Sequence, residues 1–423
     1  MLTRRYAWYV LGLLTALNFI NYVDRQMIVG MYDEFARHFG LTNAQFGWLN
    51  SSFFIVHSVT TIPLAWLADH FDRRKVLAIG AIVWSLATLG TVWAGGFATL
   101  VVLRGLVGVG EAAYLPISNA LLSESFRPDE KSKVVGIFNG GMFAGSCIGI
   151  YAGVRLGIPK AFEVVALPGI LLGLVVLTLR ITPHRADLRV RPTFRVLFHD
   201  ALHSLRSRTA YWMLAAGILI SFTAGGYIGW FVKFIDEYQG LTPLEATQRL
   251  FWIVLTAGPT GVIVGGLVAD ALYRRRKNGR PLAIGLGFLL ALPCAIGSLY
   301  STGLQYFVFA WLICFFLPWY NGPMAAVIDD IVDDDKASTA QGAFSTVLHL
   351  AGTAPGFVVV GWLIEPLGLR TALLFPTATI FLAALCCFAG ARTVAADMRR
   401  HEARASGALG MVGRLGEGGG ESS

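Results

Sequence analysis

Charged residues are scarce in this sequence, because Asp, Glu, Lys and Arg make up only 14% of its 423 residues. An ordinary soluble domain carries about 25% of such residues. Hydrophobic residues make up 55% of the chain, and the mean hydropathy is +0.61. These charged residues are too few for the water-exposed surface of a soluble protein of this size. The sequence therefore predicts an integral, multi-pass membrane protein.

Several sequence motifs of enzymes and cofactor-binding proteins are also missing. The chain contains no GxxxxGK[ST] phosphate loop, no HExxH zinc motif and no GxSxG nucleophile motif. Its five cysteines show no CxxC spacing and fall in apolar stretches, which favours small buried side chains over a disulfide or a metal site. We expect no cofactor, no metal and no enzymatic activity, and we expect the energy source not to be ATP.

Long apolar stretches are abundant, and each is long enough to cross a membrane. A hydrocarbon core of about 30 Å needs about 20 mostly apolar residues in a helix. The runs are continuous, without the alternation of barrel strands, which favours helices. The sequence predicts an all-α membrane protein with twelve transmembrane helices. The predicted spans 1 to 12 are 8–30, 46–68, 75–95, 98–121, 133–155, 161–181, 211–234, 248–270, 281–300, 303–328, 338–363 and 367–391.

The distribution of basic residues predicts the orientation of these spans. Most of the 34 Lys and Arg residues fall in loops on the side of the amino terminus, including a dense group between spans 6 and 7. Loops rich in Lys and Arg stay on the cytoplasmic side, so both termini are predicted to be cytoplasmic, with the plasma (inner) membrane as the location. Such loops face anionic lipid headgroups, and no nucleic-acid partner is expected.

A short pattern recurs about half a chain apart. LAWLADHFDRRKV follows span 2, and GGLVADALYRRRK follows span 8. Asp69 stands before Arg73 and Arg74, as Asp270 stands before Arg274. The repeat predicts two pseudo-symmetric six-helix bundles with a binding site between them near the bilayer midplane.

The repeat and the loop composition together set the predicted domain boundaries. The amino-terminal bundle covers 1–181, a basic cytoplasmic linker covers 182–210, and the carboxy-terminal bundle covers 211–395. The Gly- and Ser-rich segment 396–423 is predicted to be a flexible cytoplasmic tail.

Ionisable side chains interrupt the apolar pattern of span 1. Asn18, Asn21, Asp24 and Arg25 share one broad face of this helix. Charges at this depth cost several kcal/mol and usually face a bundle interior, paired with one another. Neighbours on a helix diverge by about 100°, so Asp24 and Arg25 need not pair directly.

Span 4 offers partners for these charges. Arg104 and Glu111 lie on one face of it, and with Asp24 and Arg25 they sum to zero charge. Protonation of one carboxylate would upset the balance and shift the conformation, which predicts proton coupling through Asp24 or Glu111. The alternative is a permanent ion-pair network that does not titrate.

Three further features are candidates for binding or packing. His349 is a lone histidine in span 11 that either contacts a neighbouring helix or acts on substrate or proton, whereas His57 is interpreted as structural. The aromatic pair Trp319 and Tyr320 in span 10 is a candidate wall for an apolar substrate. Glycines at every fourth position of span 5, from Gly141 to Gly153, predict close approach of another helix.

The loop after span 2 resembles the signature of the major facilitator superfamily, Gly-x-Leu-x-Asp-x-x-Gly-Arg-Arg. Leu67, Asp69, Arg73 and Arg74 match it, while Ala65 and Asp72 replace its glycines. The resemblance implies the two-bundle fold of that superfamily, a monomer, and a gating role for the residues of this loop and of its echo after span 8.

Three segments closely resemble the spinster-like transporters of that superfamily: NYVDR, RGLVGVGEAAY and HLAGTAPGFVVVGWL. The resemblance implies proton coupling through Asp24 and Glu111. It implies substrate binding by the set Asn21, Arg25, Arg104, Trp319, Tyr320 and His349.

The resemblance leads to one expected function and two alternatives. The expectation is a proton-coupled secondary transporter of a lipid-like amphiphile, such as a lysophospholipid or a sphingoid molecule. Organic-anion symporters of the same superfamily share the Tyr-x-Asp-Arg and Gly-x-x-Glu-Ala patterns, so symport of a small organic anion is the first alternative. A non-transporting membrane sensor is the second.

Overall fold

A computed structural model of the chain describes residues 3–127, 130–180, 206–332 and 337–417. In these ranges every regular element is a helix, and twelve helices are long and apolar enough to cross a membrane, which confirms the predicted spans. We number them α1 to α12: Arg4–Gly30, Asn43–Ala68, Arg73–Trp93, Phe97–Ser125, Lys133–Leu156, Lys160–Leu177, Arg208–Gln239, Pro243–Arg275, Gly279–Tyr300, Gly303–Asp329, Ala340–Leu367 and Leu369–His401.

Several of these helices are longer than the predicted spans because polar side chains cap them outside the apolar region. Ser207 precedes α7 and accepts a hydrogen bond from the Ala210 amide. Thr242 precedes α8 and forms a reciprocal capping box with Glu245. Such caps satisfy the free amides of the first turn, so the helix begins well before its hydrophobic segment does.

The structure describes only part of the predicted linker and part of the predicted tail. Residues 181–205, most of the predicted linker, lie outside the described ranges. After a break at Leu373, α12 continues as one helix from Leu374 to Glu417, beyond its membrane-spanning part and through most of the segment predicted as a flexible tail. Ala and Arg are good helix formers and recur in this segment, which offsets its glycines.

Several of these helices contain local breaks in their backbone. α4 is interrupted at Ala113, between Phe97–Ala112 and Tyr114–Ser125. α10 contains a 3-10 turn over Leu317–Tyr320, where Pro318 removes a backbone donor. α11 contains a π-helical turn over His349–Thr353. A π turn inside an α-helix is rare and frequently marks a functional position.

The glycines of α5 confirm the predicted close helix approach, and their partner is α1. A Cβ at Gly141 would lie 2.8 Å from the Thr15 carbonyl oxygen, and a Cβ at Gly149 would lie 2.6 Å from that of Val23. No side chain fits at these distances. The small residues of α5 therefore bring the backbone of α1 close to α5.

Apolar packing divides the described residues into three clusters. One joins the first six helices at the end near the termini, and it includes Leu14, Trp84 and Phe138. A second joins the last six helices at the same end. The third lies at the opposite end and combines both groups of helices, for example Phe46 of α2 with Trp230 of α7. The two groups thus share one apolar core only at the end remote from the termini.

Polar contacts reinforce this shared core. Lys233 of α7 donates to the Tyr32 hydroxyl at 3.3 Å, and its ammonium lies 4.6 Å from the centre of the Tyr32 ring. Tyr32 also hydrogen-bonds to Asn43 at the start of α2 and packs edge-on against Trp230. We refer to the pair as the Tyr32–Lys233 contact. It connects the segment between α1 and α2 to the far end of α7.

Candidate substrate and proton site

A buried ion pair between α1 and α4 forms the centre of the candidate site. The Arg25 Nη2 donates to Glu111 Oε2 at 2.7 Å, and Arg25 Nε donates to the same oxygen at 3.2 Å. Glu111 is 1% exposed, whereas the Arg25 side chain is 15% exposed. Because the Glu111 carboxylate is sealed whereas part of the Arg25 side chain is exposed, Arg25 is the member of the pair that a solute can reach.

Asp24 binds a different helix from its sequence neighbour. The Thr88 hydroxyl of α3 donates to Asp24 Oδ2 at 2.8 Å, and Asp24 is fully buried. Its strongest electrostatic partner is Arg104, whereas that of Glu111 is Arg25. The two carboxylates thus face two guanidiniums in a cluster without net charge, and Asp24 and Arg25 diverge around α1 as expected.

Several polar atoms of this cluster have no hydrogen-bond partner within the described residues. They are Asp24 Oδ1, Glu111 Oε1, Arg104 Nε and Asn21 Nδ2. Arg104 Nη2 reaches only the Arg25 carbonyl oxygen, at 3.3 Å. Unsatisfied buried groups are costly, and their concentration in one place is typical of a site that exchanges protons or binds a ligand.

One aromatic ring lies close to both guanidiniums. The Arg25 guanidinium is 4.8 Å from the centre of the Phe53 ring of α2, and that of Arg104 is 5.1 Å from it. Asn21 accepts a weak hydrogen bond from Arg25 at 3.5 Å. The cluster therefore combines α1, α2 and α4. The sequence did not predict the contribution of Phe53, because nothing in the pattern of α2 distinguishes this residue from a core phenylalanine.

The remaining residues predicted to bind substrate divide into two groups. His349 lies at the π turn of α11, stacked on Phe54 at 5.7 Å, and it interacts electrostatically with Arg25. Trp319 is 6% exposed because it packs against Gly265 and Gly287 in the last six helices. The described contacts place Trp319 and its neighbour Tyr320 away from the Arg25 cluster, so the predicted role of these two rings stays a prediction.

The predicted gating residues of the first repeat lie at the ends of α3 and α4 near the termini. Arg73 at the start of α3 pairs with Glu124 near the end of α4, at 2.7 Å. Arg74 binds Asp72 at 2.6 Å and the Leu179 carbonyl oxygen at 2.7 Å. The hydrogen bonds from the Arg74 side chain lower the pKa of Asp72 below its usual value. The side chain of Asp69 is outside the described part of the structure.

In the second repeat, the arginine that forms an ion pair between helices is not the one that the sequence pattern indicates. Asp270 and Arg274 are exposed, and Arg274 Nε only approaches the Asp270 carbonyl oxygen, at 3.5 Å. Arg280 at the start of α9 instead forms an ion pair with Asp330 after α10. This is the place that the Arg73–Glu124 pair occupies in the first repeat. The acidic run DDIVDDDK was the available signal for it.

A comparison with known protein families identifies the family to which the chain belongs. The family model of the Major Facilitator Superfamily matches residues 14–355, most of the chain. The chain belongs to the Major Facilitator Superfamily. Members of this superfamily are membrane transporters and not enzymes, so this spinster-like chain moves a small-molecule substrate across a membrane.

Relatives of this chain include a spinster protein and a D-galactonate transporter. The protein spinster of Drosophila melanogaster is 25% identical over 85% of this chain, which spans only 62% of the length of that relative. The D-galactonate transporter of Escherichia coli O6:H1 is 26% identical over 90% of the chain and 94% of the transporter. A crystal structure of a bacterial homolog to the human lysosomal transporter spinster, inward-facing and unoccupied, matches with a TM-score of 0.81. It is 20% identical and covers 94% of this chain and 99% of the other, so it supports the fold alone.

Proposed function

We propose that the chain is a proton-coupled secondary transporter of a lipid-like amphiphile with an anionic headgroup, such as a lysophospholipid. The observation that carries the proposal is the Arg25–Glu111 pair, in which a partly exposed arginine is held by a sealed carboxylate. An anionic headgroup and Glu111 compete for the same donors on Arg25. Protonation of Glu111 weakens its hold, so the proton and the anion bind together.

Alternating access supplies the transport step. In this proposal the two six-helix bundles rock about the central site, with both termini in the cytoplasm of a plasma-membrane monomer. The shared apolar core and the Tyr32–Lys233 contact close the end remote from the termini. The state described is then inward-facing, with Arg25 accessible from the cytoplasmic side.

Transport of a small organic anion is the second candidate. It is favoured by the similarity to a D-galactonate transporter across nearly the whole of both chains. Arg25 would bind the carboxylate of such a solute in the same place as a lipid headgroup. The two candidates differ in the tail of the substrate and not in its charged group.

A flux measurement with purified protein in liposomes tests the proposal. Uptake of a radiolabelled lysophosphatidylglycerol and of D-galactonate is followed under an imposed pH gradient, for the wild type, Glu111→Gln and Glu130→Gln. Glu130 is a matched control because its partner Arg4 is largely exposed, and such surface pairs contribute little. We expect gradient-dependent lysolipid uptake that Glu111→Gln abolishes and Glu130→Gln retains. Uptake of D-galactonate alone would favour the second candidate, and gradient-dependent uptake of neither would contradict both.

A further inference from the structure

Two histidines from opposite groups of helices face each other beside the Arg25 cluster. His57 lies in α2 and His349 lies at the π turn of α11, and their ring centres are 6.4 Å apart at an angle of 70°. The ring centre of Phe53 lies 5.6 Å from that of His57. Phe54 stacks on the ring of His349. The sequence indicated a structural role for His57, but its position is at the meeting of the two groups.

The surroundings of both imidazoles favour an anion over a cation. Arg25 is the charged group that acts most strongly on each of them. Arg104 shares the Phe53 ring with Arg25 and adds a second positive charge nearby. Asp24 and Glu111 balance the charge of the cluster as a whole, but the charge that acts on the two imidazoles is the guanidinium of Arg25. This guanidinium repels a metal ion and attracts the oxygens of a phosphate, sulfonate or carboxylate.

The His57 ring keeps its hydrogen-bonding capacity. In the described part of the chain neither ring nitrogen of His57 has a hydrogen-bond partner, although its carbonyl oxygen accepts from Thr61 at 2.6 Å. The residue is half-buried, so the ring is not sealed by packing. His349 contacts the backbone of Ser345 one turn earlier. An imidazole without a partner, aimed at a neighbour from the opposite group of helices, has an N–H free for a ligand.

We propose that His57 is a substrate-contacting residue that donates its ring N–H to the oxyanion of the substrate, opposite His349 and beside Arg25. This inference rests on the proposed function and assigns a new contact within it. The oxyanion is the phosphate of a lysolipid or the carboxylate of a small solute. Because α2 and α11 each contribute one imidazole, the bound oxyanion connects the two groups of helices, as a substrate of an alternating-access carrier must.

Equilibrium binding to the full chain in nanodiscs tests this contact. The probes are radiolabelled lysophosphatidylglycerol, monoacylglycerol with the same acyl chain, and D-galactonate. We expect His57→Phe to weaken binding of the anionic probe about tenfold, the usual effect of losing a hydrogen bond to a charged group. Binding of the neutral monoacylglycerol is expected to change less than twofold, and His57→Gln, which keeps an N–H donor, to restore most of the affinity. His38→Phe is the control, because His38 is exposed and remote from the cluster.

A second measurement uses the wild-type chain and does not depend on folding of the variant. Lysophosphatidylglycerol, but not monoacylglycerol, is expected to protect His57 from diethyl pyrocarbonate, as read by peptide mass spectrometry. Wild-type affinity of His57→Phe for the anion, equal loss for the anionic and neutral lipids, or absence of protection would each overturn the contact while leaving the proposed function intact. Failure of the wild type to bind either anion would instead overturn the proposed function, and the contact with it.

Discussion

Neutralising Lys233 is expected to shift the balance between the two states of the carrier. In Lys233→Met the stem of similar length still packs, but the charge above the Tyr32 ring and the donor to its hydroxyl are lost. A cation over a tyrosine face contributes about 0.5–2 kcal/mol, depending on burial. Lys233 is half-buried and Tyr32 is buried, so we expect a loss of about 1.4 kcal/mol, which is a tenfold shift toward the state open at the end remote from the termini.

The shift is measured by pulsed electron paramagnetic resonance between spin labels at the exposed positions His38 and Gln248, at that same end of the molecule. Lys160→Met is the matched control, because Lys160 is an exposed lysine at the start of α6 on this side. We expect a new long-distance population for Lys233→Met and an unchanged distribution for Lys160→Met. Identical distributions for the two variants would show that the Tyr32–Lys233 contact does not stabilise the closed end.

Two further predictions concern the packing of α5 and the cap of α3. Gly149→Ala would place a Cβ 2.6 Å from the Val23 carbonyl oxygen, so we expect about 1–3 kcal/mol of destabilisation and a lower thermal midpoint in detergent. Gly140→Ala on the same helix has open space around it, and equal midpoints for both would refute the packing argument. Asp72 caps α3, and hydrogen bonds from Arg74 lower its pKa. Its charge therefore stabilises the fold above the pKa of an unfolded Asp, about 3.9, and the contribution is lost as the pH falls through the lower folded value. The difference in thermal midpoint between the wild type and Asp72→Asn should follow this course, and a constant difference would count against it.

The fold could be predicted from sequence because its dominant signal is one-dimensional. Each span is a continuous apolar run, and the glycine spacing of α5 indicates close contact with another helix without specifying which helix it is. What the pattern does not contain is the identity of that partner. The fit of Gly149 onto Val23 of α1 depends on the arrangement of helices in the bundle, which no local rule specifies.

The sequence predicted that the charges of α1 and α4 meet, but not how each of them is paired. The charges of α1 and α4 stand out because they are expensive in an apolar helix. Their hydrogen-bond partners do not stand out in the sequence. Thr88 is an ordinary residue of the apolar helix α3, and only the structure shows that its hydroxyl lies 2.8 Å from Asp24. His57 was interpreted as structural for the same reason, because its distance to His349 depends on how α2 meets α11.

The echo after α8 illustrates a different limit. A repeat of letters indicates a repeat of topology, but the side chain that forms the contact can move along the chain. Arg274 matches Arg73 in the sequence pattern, whereas Arg280 forms the ion pair to Asp330 that corresponds to Arg73–Glu124 in the structure. The sequence allowed an ion pair between this acidic run and the basic loops, and for Asp330 that pair is present.

In the proposed mechanism Glu111 releases Arg25 when it is protonated, and the variant Glu111→Gln tests this release most directly. Glutamine keeps the shape and one acceptor oxygen of the buried side chain but does not take up or release a proton. In liposomes, Glu111→Gln is therefore expected to lose accumulation of lysophosphatidylglycerol driven by a pH gradient while it retains exchange of labelled for unlabelled substrate. Accumulation at the wild-type rate would contradict the claim, because it would mean that the Arg25–Glu111 pair is a fixed structural link and that the proton moves elsewhere.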